Sequence, residues 1–138
     1  MIVSVLERFE PLMNLSQEKP AGIEAPVDLA AALRWVDGDR ELLAELIEIF
    51  LEDCPKRLQE LDHAMKEGNA SGVRQAAHSL KGMVAGFDAG SAHRLAAEME
   101  SLGKAGDLSK ALDLLSTLQL EFSRVMNYLK TADWRGMN

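Results

Sequence analysis

The sequence predicts an all-α protein, an antiparallel up-down four-helix bundle with a short extra N-terminal helix, and three observations lead there. Of the 138 residues, 47% are hydrophobic but only 5% aromatic, with runs rich in Leu, Ala, Glu and Lys, the composition of packed helices rather than of a β-sandwich. Apolar residues recur at three- and four-residue steps over four long stretches. Helix start signals follow helix stop signals across short connections, which make consecutive helices antiparallel neighbours. A chain of this length buries roughly two-thirds of its unfolded surface, enough for one self-sufficient core.

Pro11, Pro20 and Pro26 fall before residue 28 and mark residues 1–27 as an N-terminal extension or linker, in which Ile2, Val3, Val5, Leu6 and Phe9 could form a short amphipathic helix. Asp28 is the expected cap of a short helix, LAAALRWV, that stops at Asp37-Gly38. Asp39 caps the next, where Leu43, Leu46, Ile47, Phe50, Cys54, Leu58, Leu61 and Met65 keep one face as far as Gly68. Pro55 lies inside that helix and is expected to kink it. Asn69 caps a third helix, which closes near Gly86 ahead of the turn GFDAGS. A fourth places Ala92, Leu95, Ala96, Met99 and Leu102 on one stripe. After GKAGD a fifth carries Leu108, Leu112, Leu115, Leu118, Phe122, Val125 and Leu129. The bundle domain is assigned to residues 28–134.

The net charge is −7 with a pI near 4.9, and there is no run of Lys and Arg to track a phosphate backbone, so nucleic acid is not an expected partner. Cys54 is the single cysteine, which excludes an intramolecular disulfide and fits a reducing compartment. No apolar run approaches the roughly 18 residues that span a bilayer. The N-terminal MIVSVLERFEPLMNL carries Glu7, Arg8 and Glu10 and lacks a basic start, so it reads poorly as a signal peptide. A cytoplasmic, soluble protein is expected.

The third helix holds the chemistry, in the stretch AAHSLKGMVAG. With Leu80 at the centre of its buried face, Val73, Ala76, Ala77, Met83, Val84 and Phe87 fall within roughly 60° of it, whereas His78 falls about 160° away. His78 therefore points to solvent, among Ser71, Arg74, Gln75, Lys81, Gly82 and Ala85. Gly82 costs a helix roughly 1 kcal/mol relative to Ala, yet one turn from the imidazole it lets another surface come close. Arg74 and Lys81 flank the ring with positive charge in an acidic protein. A neutral imidazole has a lone pair to attack phosphorus near pH 7, and the cations offset phosphate charge. Phosphoryl transfer onto His78 fits these residues, with Lys81 as stabiliser. His63 and His93 form no i, i+4 histidine pair and lie near no cysteine, so no metal site is expected. Ser79 sits about 100° round the helix from His78, which excludes a serine-hydrolase arrangement.

The segments AAHSLKG and FDA, on a third helix that follows the proline-broken FLEDCPKRL, resemble the histidine-containing phosphotransfer (HPt) domain of bacterial multistep phosphorelays over roughly residues 28–131. Met83 stands where the family often has a small residue and Asp88 where glycine is common. The resemblance implies a carrier without an ATP site that takes a phosphoryl group from a receiver-domain aspartate and passes it to another receiver. It implies His78 as phospho-acceptor, Lys81 as the lysine that steadies the phosphoryl group, and Gly82 as the residue that leaves room for the partner. Mg²⁺ would come from the receiver's acidic pocket, and the protein itself would need no cofactor. Ser71, Arg74, Gln75 and Ala85, completed by apolar residues of the second helix, form the expected docking patch for a receiver. A monomer is expected. Two other readings stay open at the level of sequence. One is a non-catalytic helical module that docks a receiver; the other is the phosphotransfer domain of a larger chemotaxis-type or hybrid histidine kinase.

Overall fold

The computed structural model describes residues 25–131, which form α1 (Leu29–Trp35), α2 (Arg40–Lys66), α3 (Ala70–Ala85), α4 (Gly90–Ala105) and α5 (Leu108–Thr131), with no strand among them. The fold class and the order of elements are those expected. The amphipathic segment at residues 2–9 lies outside the described residues, whereas Val27 is described and is buried in the core.

Local sequence sets the boundaries. The side chains of Asp28, Asp39 and Asn69 accept from the backbone N–H groups of Ala31, Leu42 and Gly72, each at 3.0 Å, as the capping argument required. Each such cap contributes about 1 kcal/mol. α2 continues through Pro55, whose ring lies on the exposed face, so the proline removes a hydrogen bond without ending the helix. After α3 the chain turns at Asp88, with φ of 50°, while Gly86 stays right-handed. Aspartate is among the few residues that tolerate the left-handed region, so its presence where glycine is common leaves the turn intact.

α2 packs on α3, α3 on α4, α4 on α5, and α5 returns to α2. The antiparallel register shows in the close pairs. Phe50 meets Phe87 edge-on at 5.4 Å, and a side chain at Gly72 would meet Ala64, so residue numbers rise on α3 as they fall on α2. Leu43, Ile47, Leu61, Val73, Leu80, Val84, Met99, Leu118 and Phe122 fill the centre. Leu112, expected in the core stripe of α5, is exposed. It lies at the edge of that stripe, where α5 has no neighbour to cover it. Met83, expected to face inward, is only half-buried, because it lies on the α2 side of α3 where the two helices leave a groove.

α3 and α4 approach closely at Gly103. A Cβ there would lie 2.7 Å from the backbone nitrogen of Arg74 and 3.1 Å from the carbonyl oxygen of Ala70. Backbone atoms cannot rotate aside, so Gly103→Ala is expected to push the helices apart and lower stability by about 1–3 kcal/mol, despite the better helix propensity of alanine. The check is the midpoint of urea unfolding.

Candidate functional site

The mid-point of α3 carries His78, with 67% of its side chain exposed, as the wheel predicted. Gln75, Ser71, Gly82 and Ala85 are exposed around it; Arg74 and Lys81 are half-buried. A Cβ on Gly82 would meet nothing within 4 Å, so the bundle's own packing places no demand for glycine there.

The structure adds a residue that the sequence did not single out. Glu100, on α4, is paired through Oε2 with His78 Nδ1 at 2.9 Å and through Oε1 with Lys81 Nζ at 2.7 Å. One carboxylate therefore ties together the two side chains expected to carry the chemistry. The antiparallel register brings it there: Arg74 lies against Gly103, and one turn along each helix His78 lies against Glu100. The Lys81 ammonium holds the Glu100 carboxyl below the ordinary carboxylate range, partial burial opposes this, and His78 adds to the lowering. A depressed carboxylate contributes stability above its unfolded range and loses it as the pH falls through the folded value. Acid titration is thus expected to release Lys81 and His78 from Glu100 only below the ordinary carboxylate range, which side-chain NMR would follow.

With Glu100 ionised, the hydrogen-bond network assigns the proton of a neutral His78 to Nδ1, which donates to the carboxylate. Nε2 then bears the lone pair, faces solvent, and makes no hydrogen bond to any described residue. Of the two cations expected to flank the ring, Lys81 has its ammonium on Glu100, and Arg74 is half-buried one turn back on α3.

Beside Gly82 runs an apolar groove of about 250 Å³ between α1, α2 and α3. Its walls include Trp35, Leu46, Ile49, Met83 and Phe87, with Asp53 at the rim. The Trp35 ring lies across Gly86, where a Cβ would meet it at 3.1 Å. Trp35 and Ile49 are largely exposed there. The apolar residues expected on the second helix are thus present, joined by an aromatic residue of α1.

An exposed imidazole with one nitrogen held and the other free, one turn from a bare glycine, is built for group transfer to and from a second protein. The family model described as Hpt domain matches residues 45–128. The chain belongs to the Hpt family. It is similar to the crystal structure of histidine-containing phosphotransfer protein B from Pseudomonas aeruginosa PAO1, at 26% identity and a TM-score of 0.72, over 79% of this chain and 95% of that one. No curated protein matches it in sequence. This Hpt domain serves histidine phosphotransfer in a phosphorelay and works with receiver domains; it is a carrier rather than an ATP-using enzyme. Among the described residues no helix is long and apolar enough to cross a membrane.

The remaining candidates fall away from this site. His63 is exposed on α2 and pairs with Glu67 at 3.1 Å. His93 is exposed near the start of α4. No group of three His, Cys, Asp or Glu that could hold a metal occurs among the described residues. Burial pushes the Cys54 thiol up to about 12, which keeps it an unreactive core residue.

Proposed function

We propose that this protein accepts a phosphoryl group on Nε2 of His78 from the aspartyl phosphate of one receiver domain and delivers it to the aspartate of another. The observation that carries this reading is the pairing of Nδ1 with Glu100, which leaves Nε2 as the nucleophile on an exposed helix face. Attack by its lone pair forms the N–P bond as the acyl phosphate P–O bond breaks and the receiver's carboxylate departs. Lys81 steadies the arriving phosphoryl oxygens, turning its ammonium from Glu100 toward them. Gly82 gives the receiver's active site room to close on the ring. Mg²⁺ belongs to the receiver's acidic pocket, and this chain contributes no ligand to it.

The receiver docks across Ser71, Gln75 and Ala85 on α3 and into the groove between Trp35, Ile49 and Met83. Arg74 contributes at the edge of that surface. The protein acts as a monomer in the cytoplasm, as an intermediate between two receivers. Incubation with phosphorylated receivers in Mg²⁺, followed by phosphopeptide mapping and ³¹P NMR, tests the reading. Acid-labile phosphate on Nε2 of His78 is expected. Phosphate on Nδ1, or on another residue, would overturn it.

A further inference from the structure

The outward face of α5 is uncharged in a protein of net charge −7. Around the helix axis, Ser109, Leu112, Ser116, Leu120, Ser123 and Asn127 fall within roughly 40° of Ser116 and about 140° from the centre of the buried face. All six are exposed. Leu112 and Leu120 keep 59% and 66% of their surface in solvent, so two isobutyl groups stand in water on one strip that carries no charge. A single exposed leucine is ordinary, whereas apolar groups gathered on an uncharged strip point to a partner.

The strip reads the same in both directions. Four residues before and four after Ser116 stands leucine; seven before and seven after stands serine. A two-fold axis through Ser116 sets Leu112 of one copy against Leu120 of the other, twice, and Ser109 against Ser123, in an antiparallel pair of α5 helices. The margins fit the same axis. Asp113, three residues before Ser116, comes opposite Gln119, three after it, so a carboxylate faces an amide that can donate to it rather than a like charge. Arg124, bonded to Glu121 at 2.7 Å, comes opposite Leu108. The small side chain of Ser116 lets the two backbones approach at the axis, and the i, i+4 row of Leu112, Ser116 and Leu120 supplies a ridge that interdigitates with its own copy.

We infer that this face binds a second copy of the chain, as an antiparallel, two-fold α5 pair centred on Ser116. The strip is roughly 27 Å long and one helix wide. A contact of that size falls short of the roughly 1,200 Å² of a stable interface, so the pairing is weak and depends on concentration. α5 lies diagonally across the bundle from α3, since each packs on both α2 and α4. Pairing therefore leaves His78 and its groove uncovered, and turns both histidines away from the shared face. The monomer remains sufficient for transfer, and the pair is a second state of a weak equilibrium.

Sedimentation equilibrium of the full chain, from about 10 µM to about 1 mM, spans the affinities such a contact gives. The average mass is expected to climb with concentration from the 15.2 kDa of one chain toward twice that value. It should climb further in high salt, which screens the repulsion between two acidic copies and takes nothing from an uncharged interface. Leu112→Lys and Leu120→Glu each spoil both leucine contacts by symmetry, and each is expected to weaken association by about tenfold or more. Both positions are exposed, so the fold should stand, which a thermal melt checks. A mixture of the two variants sets lysine against glutamate on one side of the axis and keeps leucine against leucine on the other. The mixture is therefore expected to pair where neither variant does alone. A protein that stays monomeric throughout this range overturns the inference, whatever else covers the strip. Association that survives both variants, that the mixture fails to restore, or that high salt weakens in the wild type, overturns it as well.

Discussion

His78→Ala is expected to abolish phosphoryl uptake from a charged receiver, with no residual transfer above background, while the bundle keeps its stability to within about 1 kcal/mol. The two halves of this expectation have separate causes. Uptake vanishes because no other nucleophile shares the setting. His63 is bonded to Glu67 on α2, and His93, near the start of α4, has no lysine and glycine following it at the same spacing. Stability holds because the imidazole is 67% exposed, so its removal opens no cavity. Alanine is the better helix former, by about 0.5 kcal/mol, which offsets the loss of an exposed bond to Glu100 of similar worth. Binding to the receiver should survive, since the groove beside α3 is untouched. Transfer kinetics with labelled phosphate, read beside a thermal melt and beside His63→Ala and His93→Ala, separate loss of the acceptor from loss of the fold. Residual acid-labile phosphate on the variant would move the acceptor elsewhere.

The phase of α3 was legible because burial dictates it: six apolar positions fix the inward face, and His78 is left opposite whatever the neighbours do. The caps were legible for a similar reason, since Asp28, Asp39 and Asn69 act within one turn of themselves. Glu100 was not. Its partnership with His78 spans 22 positions and depends on how far α4 slides along α3, which is set where Gly103 admits the backbone of Arg74. Both Glu98 and Glu100 stand in AAEMES, and helical periodicity alone does not say which one leans toward a neighbouring helix. The close approach of Gly103 to the Arg74 backbone eluded the sequence on the same ground. Trp35 became visible as a groove wall only once α1 was seated across Gly86.

Gly82→Leu is expected to stabilise the protein and to disable it, which makes it the more discriminating variant. Glycine in a helix interior costs roughly 1 kcal/mol relative to a good helix former, and a Cβ at this exposed position would meet nothing within 4 Å, so a side chain can start there unhindered and leucine gains helix propensity. The melting temperature should rise by a few degrees. Helical side chains lean toward the N-terminus, so a leucine at this position covers the preceding turn, the one that carries His78. An isobutyl group there occupies the space through which a receiver's aspartyl phosphate must reach Nε2. Displacing the reacting atoms by about 1 Å costs on the order of a hundredfold in rate, and a loss of at least that size is expected in transfer. Gly82→Ala should fall between, with most of the gain in stability and a smaller loss in rate. An opposite movement of stability and transfer identifies the glycine as room kept for a partner at the expense of the helix. A leucine variant that transfers at the wild-type rate would mean that the receiver approaches His78 from another side, across α4 and Glu100.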